Sequence, residues 1–420
     1  MKRKLLHTVE GLRDLHPHAT GEKTVIENNL VNVFRHYGYE QVETPTFEYY
    51  DIYHYKRGTQ DARHLYKFFN REGEILALRP DVTPSIARFT ATFYNHQNSP
   101  RRFCYVGNVF INSENYQGKP REFTQAGVEC IGLGNEEADA EIIAMAVSSL
   151  QAAGLREFQI DIGHADFFNG LAEEAGLDES IQEEVRLLID EKNFIGLENL
   201  LKDLKIDENI RVALTALPTL FGQIEVLDRA RSLTTNAKAL EAINRIEKVY
   251  EILKEYEADQ YISFELGMVS QLQYYTGMIF KGYTFGTGIS IVDGGRYDAL
   301  LSTYEYDAPA VGFAIRVDEV VSALNRQGIT IEVPNIDTLM IYQKPYRAQA
   351  IRLAETLRRQ GMTLELGING KTIEESMAYG KEKRIGGMMH LIDRDTIELI
   401  NLSSGEKQRV RVSQLLEGGL

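Results

Sequence analysis

The sequence of 420 residues contains no tryptophan and only two cysteines, Cys104 and Cys130. Two cysteines are too few for a disulfide framework or a structural zinc site, so we expect both to be buried, reduced thiols. No apolar run approaches the roughly 18 residues of a membrane span. The N-terminal stretch MKRKLLHTVEGLRD is basic but lacks the apolar core of a signal peptide. These absences predict a cytoplasmic protein without a membrane segment.

Several widespread motifs are also missing from the sequence. It has no GxxxxGK[ST] phosphate loop, no GxGxxG after a predicted strand, no HExxH and no CxxC. Its nine histidines are scattered, and no cluster of them has the spacing of metal ligands. We therefore expect neither a metal site nor a cofactor.

The charge balance is acidic, with a net charge of −15. Such a surface repels phosphate backbones, so nucleic-acid binding is an unfavoured function. The acidity is uneven, because residues 336–420 hold 13 basic and 11 acidic side chains. This slightly basic segment leaves an RNA-binding or amino-acid-sensing module open as a minor alternative.

The hydrophobic patterns divide the chain into two predicted domains. Residues 1–328 form a β-rich domain, which is interrupted at about 165–258 by a long stretch of helical periodicity. Residues 329–337 are a predicted linker, and 338–420 alternate strand and helix as in a small α/β domain.

Within the first domain, a helix is predicted over residues 20–38, with Thr20 as its cap and Gly38 at its end. The strands RRFCYVGNVF and FTQAGVECIGL flank a polar loop and predict a hairpin, so the sheet is expected to be largely antiparallel. The predicted class is α+β, with helices flanking this sheet.

Two short stretches carry side chains suited to a small polar ligand. LRPDVTP places Asp81 and Thr83 just past a buried strand, where they could hold an ammonium group or simply form a turn. FTQAGVE places Gln125, Gly127 and Glu129 on one face of a strand. That face could admit a ligand, or it could be a solvent-facing edge with a glycine bulge.

A third candidate is the uncharged stretch LGMVSQLQYYTG. Its adjacent tyrosines, Tyr274 and Tyr275, are predicted to lie on opposite faces of a strand, so that one packs and the other lines a pocket. Ordinary sheet packing is the alternative, because tyrosine is favoured in strands. The stretch GGRYD adds Tyr297 beside a glycine pair, where backbones can approach closely.

Taken in order, these stretches resemble the histidyl-tRNA synthetases and their paralogues from about residue 8 to 325. The helix–strand unit ending at Pro45 resembles class II motif 1, and LRPDVTP resembles the amino-acid loop. YVGNVF followed by GKPREFTQAGVE resembles motif 2, LGMVSQLQYYTG the histidine-specific segment, and PAVGFAIRVDEV motif 3. The resemblance implies a class II synthetase-like antiparallel sheet, with a helical insertion and a C-terminal domain similar to an anticodon-binding domain.

Three arginines that carry adenylation in that family are replaced in this sequence. The matching positions are Ile111 in motif 2, Ser270 in the histidine-specific segment and Glu319 in motif 3. Arginine stabilises the charge that builds between a carboxylate and a phosphate, and losing one such group costs on the order of 10²–10³ in rate. The resemblance therefore implies the synthetase fold without synthetase chemistry.

Among the paralogues, the sequence is similar to the regulatory subunit of ATP phosphoribosyltransferase. That similarity implies a non-catalytic subunit that forms a homodimer and assembles with the short-form catalytic subunit of this glycosyltransferase. The similarity further implies that the complex performs the first step of histidine biosynthesis and that the subunit allows allosteric regulation by histidine. A divergent histidyl-tRNA synthetase is the alternative.

The resemblance also implies roles for single residues. Asp81, Thr83 and Gln125 match positions that receive an α-ammonium group, and Asp81 stands where the family has the longer glutamate. Glu129 and Tyr274 match positions that recognise the imidazole ring of histidine. Further residues complete the predicted site: Tyr275 and Tyr297 as pocket lining, and Lys119 and Arg121 as contacts for an anion.

Overall fold

The computed structural model describes residues 6–54, 62–95, 99–112, 120–268, 274–367 and 372–417. The chain divides into two compact units, residues 1–331 and 332–420. No helix in the described ranges is long and apolar enough to cross a membrane. Both cysteines are buried and unpaired with each other, as predicted.

The first unit contains twelve strands and eleven helices among its described residues. The strands are β1 (Glu40–Gln41), β2 (Phe47–Tyr49), β3 (Lys67–Phe69), β4 (Ile75–Leu78), β5 (Arg101–Phe110), β6 (Glu122–Ile131), β7 (Phe158–His164), β8 (Phe221–Gly222), β9 (Ile262–Glu265), β10 (Met278–Thr284), β11 (Val292–Arg296) and β12 (Ala310–Arg316). The helices are α1 (Pro17–His36), α2 (Asp51–His54), α3 (Thr83–Tyr94), α4 (Glu136–Ala152), α5 (Ala165–Glu174), α6 (Glu179–Asp190), α7 (Phe194–Asp203), α8 (Glu208–Ala216), α9 (Glu225–Arg231), α10 (Ala237–Glu255) and α11 (Val317–Arg326).

Nine of these strands form one sheet in the order β1-β5-β6-β12-β11-β10-β7-β9-β8. The pairs from β5 to β7 are antiparallel, and the parallel pairs, β1 with β5 and β7 with β9, lie towards the two ends. The β5–β6 pair is the predicted hairpin. The α+β class and the largely antiparallel sheet are confirmed.

The two faces of the central strands belong to different cores. On β6, Ala126 and Val128 pack into a large core that includes the helical segment α5–α10. The alternate residues, Phe123 and Ile131 among them, pack into a second, aromatic core beneath α3. Because strand side chains alternate, Gln125, Gly127 and Glu129 also point to the aromatic face.

The start of α1 differs from the prediction. Thr20 does not cap the helix, which begins three residues earlier at Pro17. Proline is well suited to the first turn, because its φ is already helical and the amide hydrogen that it lacks would have no partner there.

The second unit has a five-stranded mixed sheet in the order β14-β13-β15-β16-β17. Its strands are β13 (Thr338–Tyr342), β14 (Leu364–Leu366), β15 (Gly387–Leu391), β16 (Thr396–Asn401) and β17 (Lys407–Arg411). Its helices are α12 (Arg347–Arg359), α13 (Ile373–Glu382) and α14 (Val412–Glu417). A capping box between Thr372 and Glu375 begins α13.

Candidate functional site

The floor of the candidate site is a row of three residues on neighbouring strands. The register pairs Glu129 on β6 with Gly312 on β12, and Gly312 with Gly295 on β11. A Cβ atom at Gly312 would overlap Oε2 of Glu129, and one at Gly295 would lie 2.7 Å from the ring of Tyr275. The glycines therefore make the space that the carboxyl group and the aromatic ring occupy.

Glu129 lies at the centre of the site and is only 1% exposed. Its Oε1 accepts a hydrogen bond of 2.7 Å from the Thr83 hydroxyl, and its Oε2 accepts one from the Tyr297 hydroxyl. Burial raises the pKa of this carboxyl to about 8, although the two hydroxyl donors oppose the shift. A buried acidic group of this kind favours a bound cation, because the cation would offset the cost of ionisation.

Asp81 supplies a second buried carboxyl, at the start of α3. Its Oδ1 accepts a hydrogen bond of 2.7 Å from the backbone N–H of Val82, and its Oδ2 accepts one of 3.3 Å from the Tyr274 hydroxyl. Burial raises the pKa of Asp81 as well. All the donors to the two carboxyls are neutral in the described part of the chain.

Three tyrosines form one wall of the site. The rings of Tyr274 and Tyr275 lie 4.8 Å apart, and Tyr274 meets Tyr297 edge to face at 5.8 Å. The prediction that Tyr274 and Tyr275 occupy opposite faces of a strand is wrong. The strand β10 begins only at Met278, and the turn before it lets both rings face the same cluster.

Gln125 lies on the same sheet face as Glu129, nearer the opposite end of β6. Its Oε1 atom is buried and has no hydrogen-bond partner among the described residues. A buried acceptor left without a donor carries a desolvation cost, which a ligand N–H group would remove. Like the two carboxyl groups, this oxygen is complementary to a ligand that has several hydrogen-bond donors.

The structure describes some of the remaining predicted positions and not others. Ile111 is half-buried and packs against the aromatic core, and Glu319 is half-buried in the first turn of α11. The Arg121 side chain lies close to Gly11, where a Cβ atom would be 2.6 Å from its Cγ. Lys119 and Ser270 lie outside the described residues.

The sequence analysis missed Arg316 and Asp293, which lie on the same sheet face. Asp293 pairs across the strands with Ala314, and Arg316 pairs with Gln125. The signal was present in PAVGFAIRVDEV, because Gly312, Ala314 and Arg316 alternate along one strand face.

Changing Gly312 to alanine should destabilise the first unit by about 1–3 kcal/mol, because the new methyl group displaces Glu129 and the backbone oxygen of Val128. Urea denaturation measures the change. Gly288→Ala is the matched control, since nothing lies within 4 Å of a Cβ there. Equal effects of the two substitutions would contradict the close packing of Glu129 against Gly312.

Comparison with known proteins identifies the family. A family model described as histidyl-tRNA synthetase matches residues 11–320. The ATP phosphoribosyltransferase regulatory subunit of Acetivibrio thermocellus is 41% identical over 98% of this chain and 99% of its own length. The protein of the same name from Ruminiclostridium cellulolyticum is 38% identical over 99% of both chains.

Solved structures agree with this grouping. The crystal structure of an ATP phosphoribosyltransferase regulatory subunit/histidyl-tRNA synthetase from Bacillus halodurans is 34% identical to this chain, with a TM-score of 0.81, over 90% of this chain and 96% of its own length. Histidyl-tRNA synthetase from Nostoc shares the fold at 20% identity, with a TM-score of 0.82 over 98% of both chains. This chain therefore belongs to the family of ATP phosphoribosyltransferase regulatory subunits, whose fold is that of the histidyl-tRNA synthetases.

Proposed function

We propose that this chain is the regulatory subunit of an ATP phosphoribosyltransferase and acts by association, with no amino-acid activation of its own. The observation that carries the proposal is the near full-length similarity to relatives of that name. The partner would be a short-form catalytic subunit in the cytoplasm, and the chain would enter the complex as a homodimer. The reaction served is the first step of histidine biosynthesis.

The site chemistry supports a role without adenylation. Adenylation needs cations beside a carboxylate and an α-phosphate, and arginine is suited to both. Ile111 supplies an aliphatic surface against the tyrosine core, and Glu319 adds a negative charge where α11 begins. A carboxylate at a position where the synthetases have a phosphate-binding arginine would repel a phosphate, so this difference from the synthetases disfavours ATP binding.

Histidine is the proposed regulatory ligand of the retained pocket. Its ammonium group and imidazole N–H groups can donate to Asp81, Glu129 and Gln125, whose oxygens all lie on this side of the sheet. Thr83 fixes one Glu129 oxygen, and the tyrosines provide a wall for the imidazole ring. The occupancy of this site by histidine would then regulate the activity of the catalytic subunit.

Mixing the purified chain with a short-form catalytic subunit tests the proposed function. We expect the transferase rate to rise when the chain is added, and histidine to lower the rate of the complex. Formation of phosphoribosyl-ATP and pyrophosphate from ATP and phosphoribosyl pyrophosphate measures both effects. A rate that is the same with and without the chain would refute the proposal.

A divergent histidyl-tRNA synthetase is the second candidate, and the match to the synthetase family model is the observation that favours it. Histidine-dependent exchange between ATP and pyrophosphate separates the candidates, because only a synthetase catalyses it. We expect no exchange above background. Exchange at an enzyme-like rate would favour the synthetase.

A further inference from the structure

Two short segments carry the tyrosines of the pocket wall, residues 274–277 and residues 296–298. Backbone hydrogen bonds join them to each other. The N–H of Thr276 donates to the oxygen of Arg296 at 2.8 Å, and the N–H of Asp298 donates to Oγ1 of Thr276 at 2.9 Å. A shift of one segment therefore displaces the other.

Residues 274–277 are also bonded to the first helix of the helical segment α5–α10. The oxygen of Gly277 accepts a hydrogen bond of 2.9 Å from the N–H of Ala165, the first residue of α5. A Cβ atom at Gly277 would lie 3.0 Å from Cδ of Arg296, so this turn is packed closely against the second segment as well. A movement of the turn therefore acts directly on the start of α5.

Residues 296–298 are connected to the last helix of the same helical segment. Arg296 and Arg245 of α10 donate to the two carboxylate oxygens of Asp139 on α4. Since α10 packs against both α5 and α4, the two connections meet in one packed group of helices. The pocket wall is thus tied to the helical segment at two points.

The hydroxyl groups of the same tyrosines occupy acceptors that a ligand needs. Tyr297 donates to Oε2 of Glu129, and Tyr274 donates to Oδ2 of Asp81 at 3.3 Å. The second bond is longer than is usual for a hydroxyl donor, so it is weak. A ligand with several N–H groups competes with both hydroxyls for these oxygens.

We propose that residues 274–277 and 296–298 couple the occupancy of the pocket to the position of the helical segment α5–α10. Without a ligand, the carboxyl groups of Asp81 and Glu129 hold the tyrosines. With a ligand, its N–H groups replace the hydroxyls, the two segments shift, and α5 and α10 shift with them. This inference rests on the proposed function, in which histidine is the ligand and regulates the catalytic subunit.

The two arrangements of the tyrosines give the ligand something to select. A ligand shifts a protein between two states only when it interacts differently with them, and here the hydroxyls and the ligand compete for the same oxygens. The connection to α10 is stiff, because Asp139 is fully buried and the side chain of Arg296 is 6% exposed. Buried, close-packed groups move together rather than absorb a displacement.

Hydrogen exchange measured by mass spectrometry tests the inference on the full wild-type chain. Saturating histidine should slow the exchange of amide hydrogens in α5 and α10 by about 5-fold or more, the lower end of typical allosteric couplings. Calorimetry on the same sample measures histidine binding. Unchanged exchange in both helices, or a chain that does not bind histidine, would overturn the inference.

Arg245→Gln tests the connection through α10. The variant removes the bonds between α10 and Asp139 and leaves the pocket side chains in place. It should bind histidine and activate the transferase as wild type does. Its fold-inhibition by saturating histidine should be smaller than that of wild type by a factor of about 2 or more, as for other residues along a coupling route.

Two further variants sharpen the result. Arg245→Lys keeps the charge and should recover part of the inhibition. Arg231→Gln is the matched control, because Arg231 of α9 pairs with Glu247 of α10 at 2.7 Å, within the helical segment. Histidine should inhibit the complex of this control as strongly as it inhibits that of wild type.

Full inhibition of the Arg245→Gln complex, or an equal loss of inhibition in Arg231→Gln, would also contradict the coupling. If Arg245→Gln fails to bind histidine, the exchange measurement on wild type decides. Activation of the transferase by the wild-type chain, measured without histidine, is the independent readout. If activation occurs while exchange in α5 and α10 stays unchanged, the inference falls and the proposed function stands.

Discussion

Replacing Asp139 with alanine is expected to lower the free energy of unfolding of the first unit by about 3–5 kcal/mol. Asp139 lies on α4 and is fully buried. Its Oδ1 accepts two hydrogen bonds, of 2.9 and 2.6 Å, from Arg296, and its Oδ2 accepts two of the same lengths from Arg245. The substitution leaves both guanidinium groups without this carboxylate.

The cost is large because Arg296 cannot reach water easily. Its side chain is 6% exposed, against 19% for Arg245. Arg296 ends β11 and Arg245 lies on α10, so the carboxylate joins the pocket sheet, the helical segment and α4. The neighbour of Arg296 is Tyr297, which donates to Glu129, so the loss should also loosen the pocket.

Urea denaturation measures this effect, with Glu251→Ala as the control. Glu251 pairs with Lys254 at the surface, where the side chains are 68% and 45% exposed, and its loss should cost no more than about 0.5 kcal/mol. A change below about 1 kcal/mol for Asp139→Ala would show that Asp298 and Glu136, which already pair with Arg296 and Arg245, are sufficient partners for the two guanidinium groups.

The sequence predicted those parts of the fold that follow from local patterns. The β5–β6 hairpin shows as two alternating runs around a polar loop, and its alternation placed Gln125 and Glu129 on one face. Asp81 was expected just past a buried strand, and it lies three residues after the end of β4. These features depend on neighbours in the sequence, so a single chain is enough to reveal them.

Features that depend on distant segments were not predictable in the same way. The segment at Tyr274 and Tyr275 has the sequence pattern of a strand, because tyrosine favours strands. In the structure it is a turn, held by hydrogen bonds to the last residue of β11 and to the residues after it. The N–H of Thr276 donates to the oxygen of Arg296, and the N–H of Asp298 donates to Oγ1 of Thr276. No local sequence pattern predicts these contacts.

Ion pairs between residues that are far apart in the sequence were likewise not predictable. The sequence distance between Asp139 and Arg296 is 157 residues, and the side chain of Arg316 meets Asp293 only because β11 and β12 pair in one register. The expected replacement of three synthetase arginines follows from the motif positions alone, and it stays a prediction. The place of Arg316 on the pocket face could not be predicted from the sequence, because it depends on the register between β6, β12 and β11.

The second large effect is a pH dependence that Glu129 imposes on stability. Its carboxyl has an ordinary pKa of 4.5, and burial raises the pKa to about 8 in the folded protein. Between these values the folded protein binds a proton that the unfolded chain releases. The stability that this proton contributes is complete below about pH 4.5 and is lost as the pH rises through 8.

Glu129→Gln removes this titration and retains the shape of the side chain. Its amide oxygen can still accept a hydrogen bond from the Thr83 hydroxyl. Between pH 5 and pH 8, wild type should therefore lose about 3–4 kcal/mol of stability relative to the variant. Asp81 is present in both proteins, so the comparison isolates Glu129.

Urea denaturation of both proteins at pH 5 and pH 8, with and without histidine, measures the effect. A bound cation favours the ionised carboxyl, so saturating histidine should reduce the pH dependence of wild type and leave that of Glu129→Gln nearly unchanged. Parallel pH profiles for the two unliganded proteins would mean that Glu129 ionises in the folded state at its ordinary pKa. The pocket would then lack the buried acid on which its affinity for a cation depends.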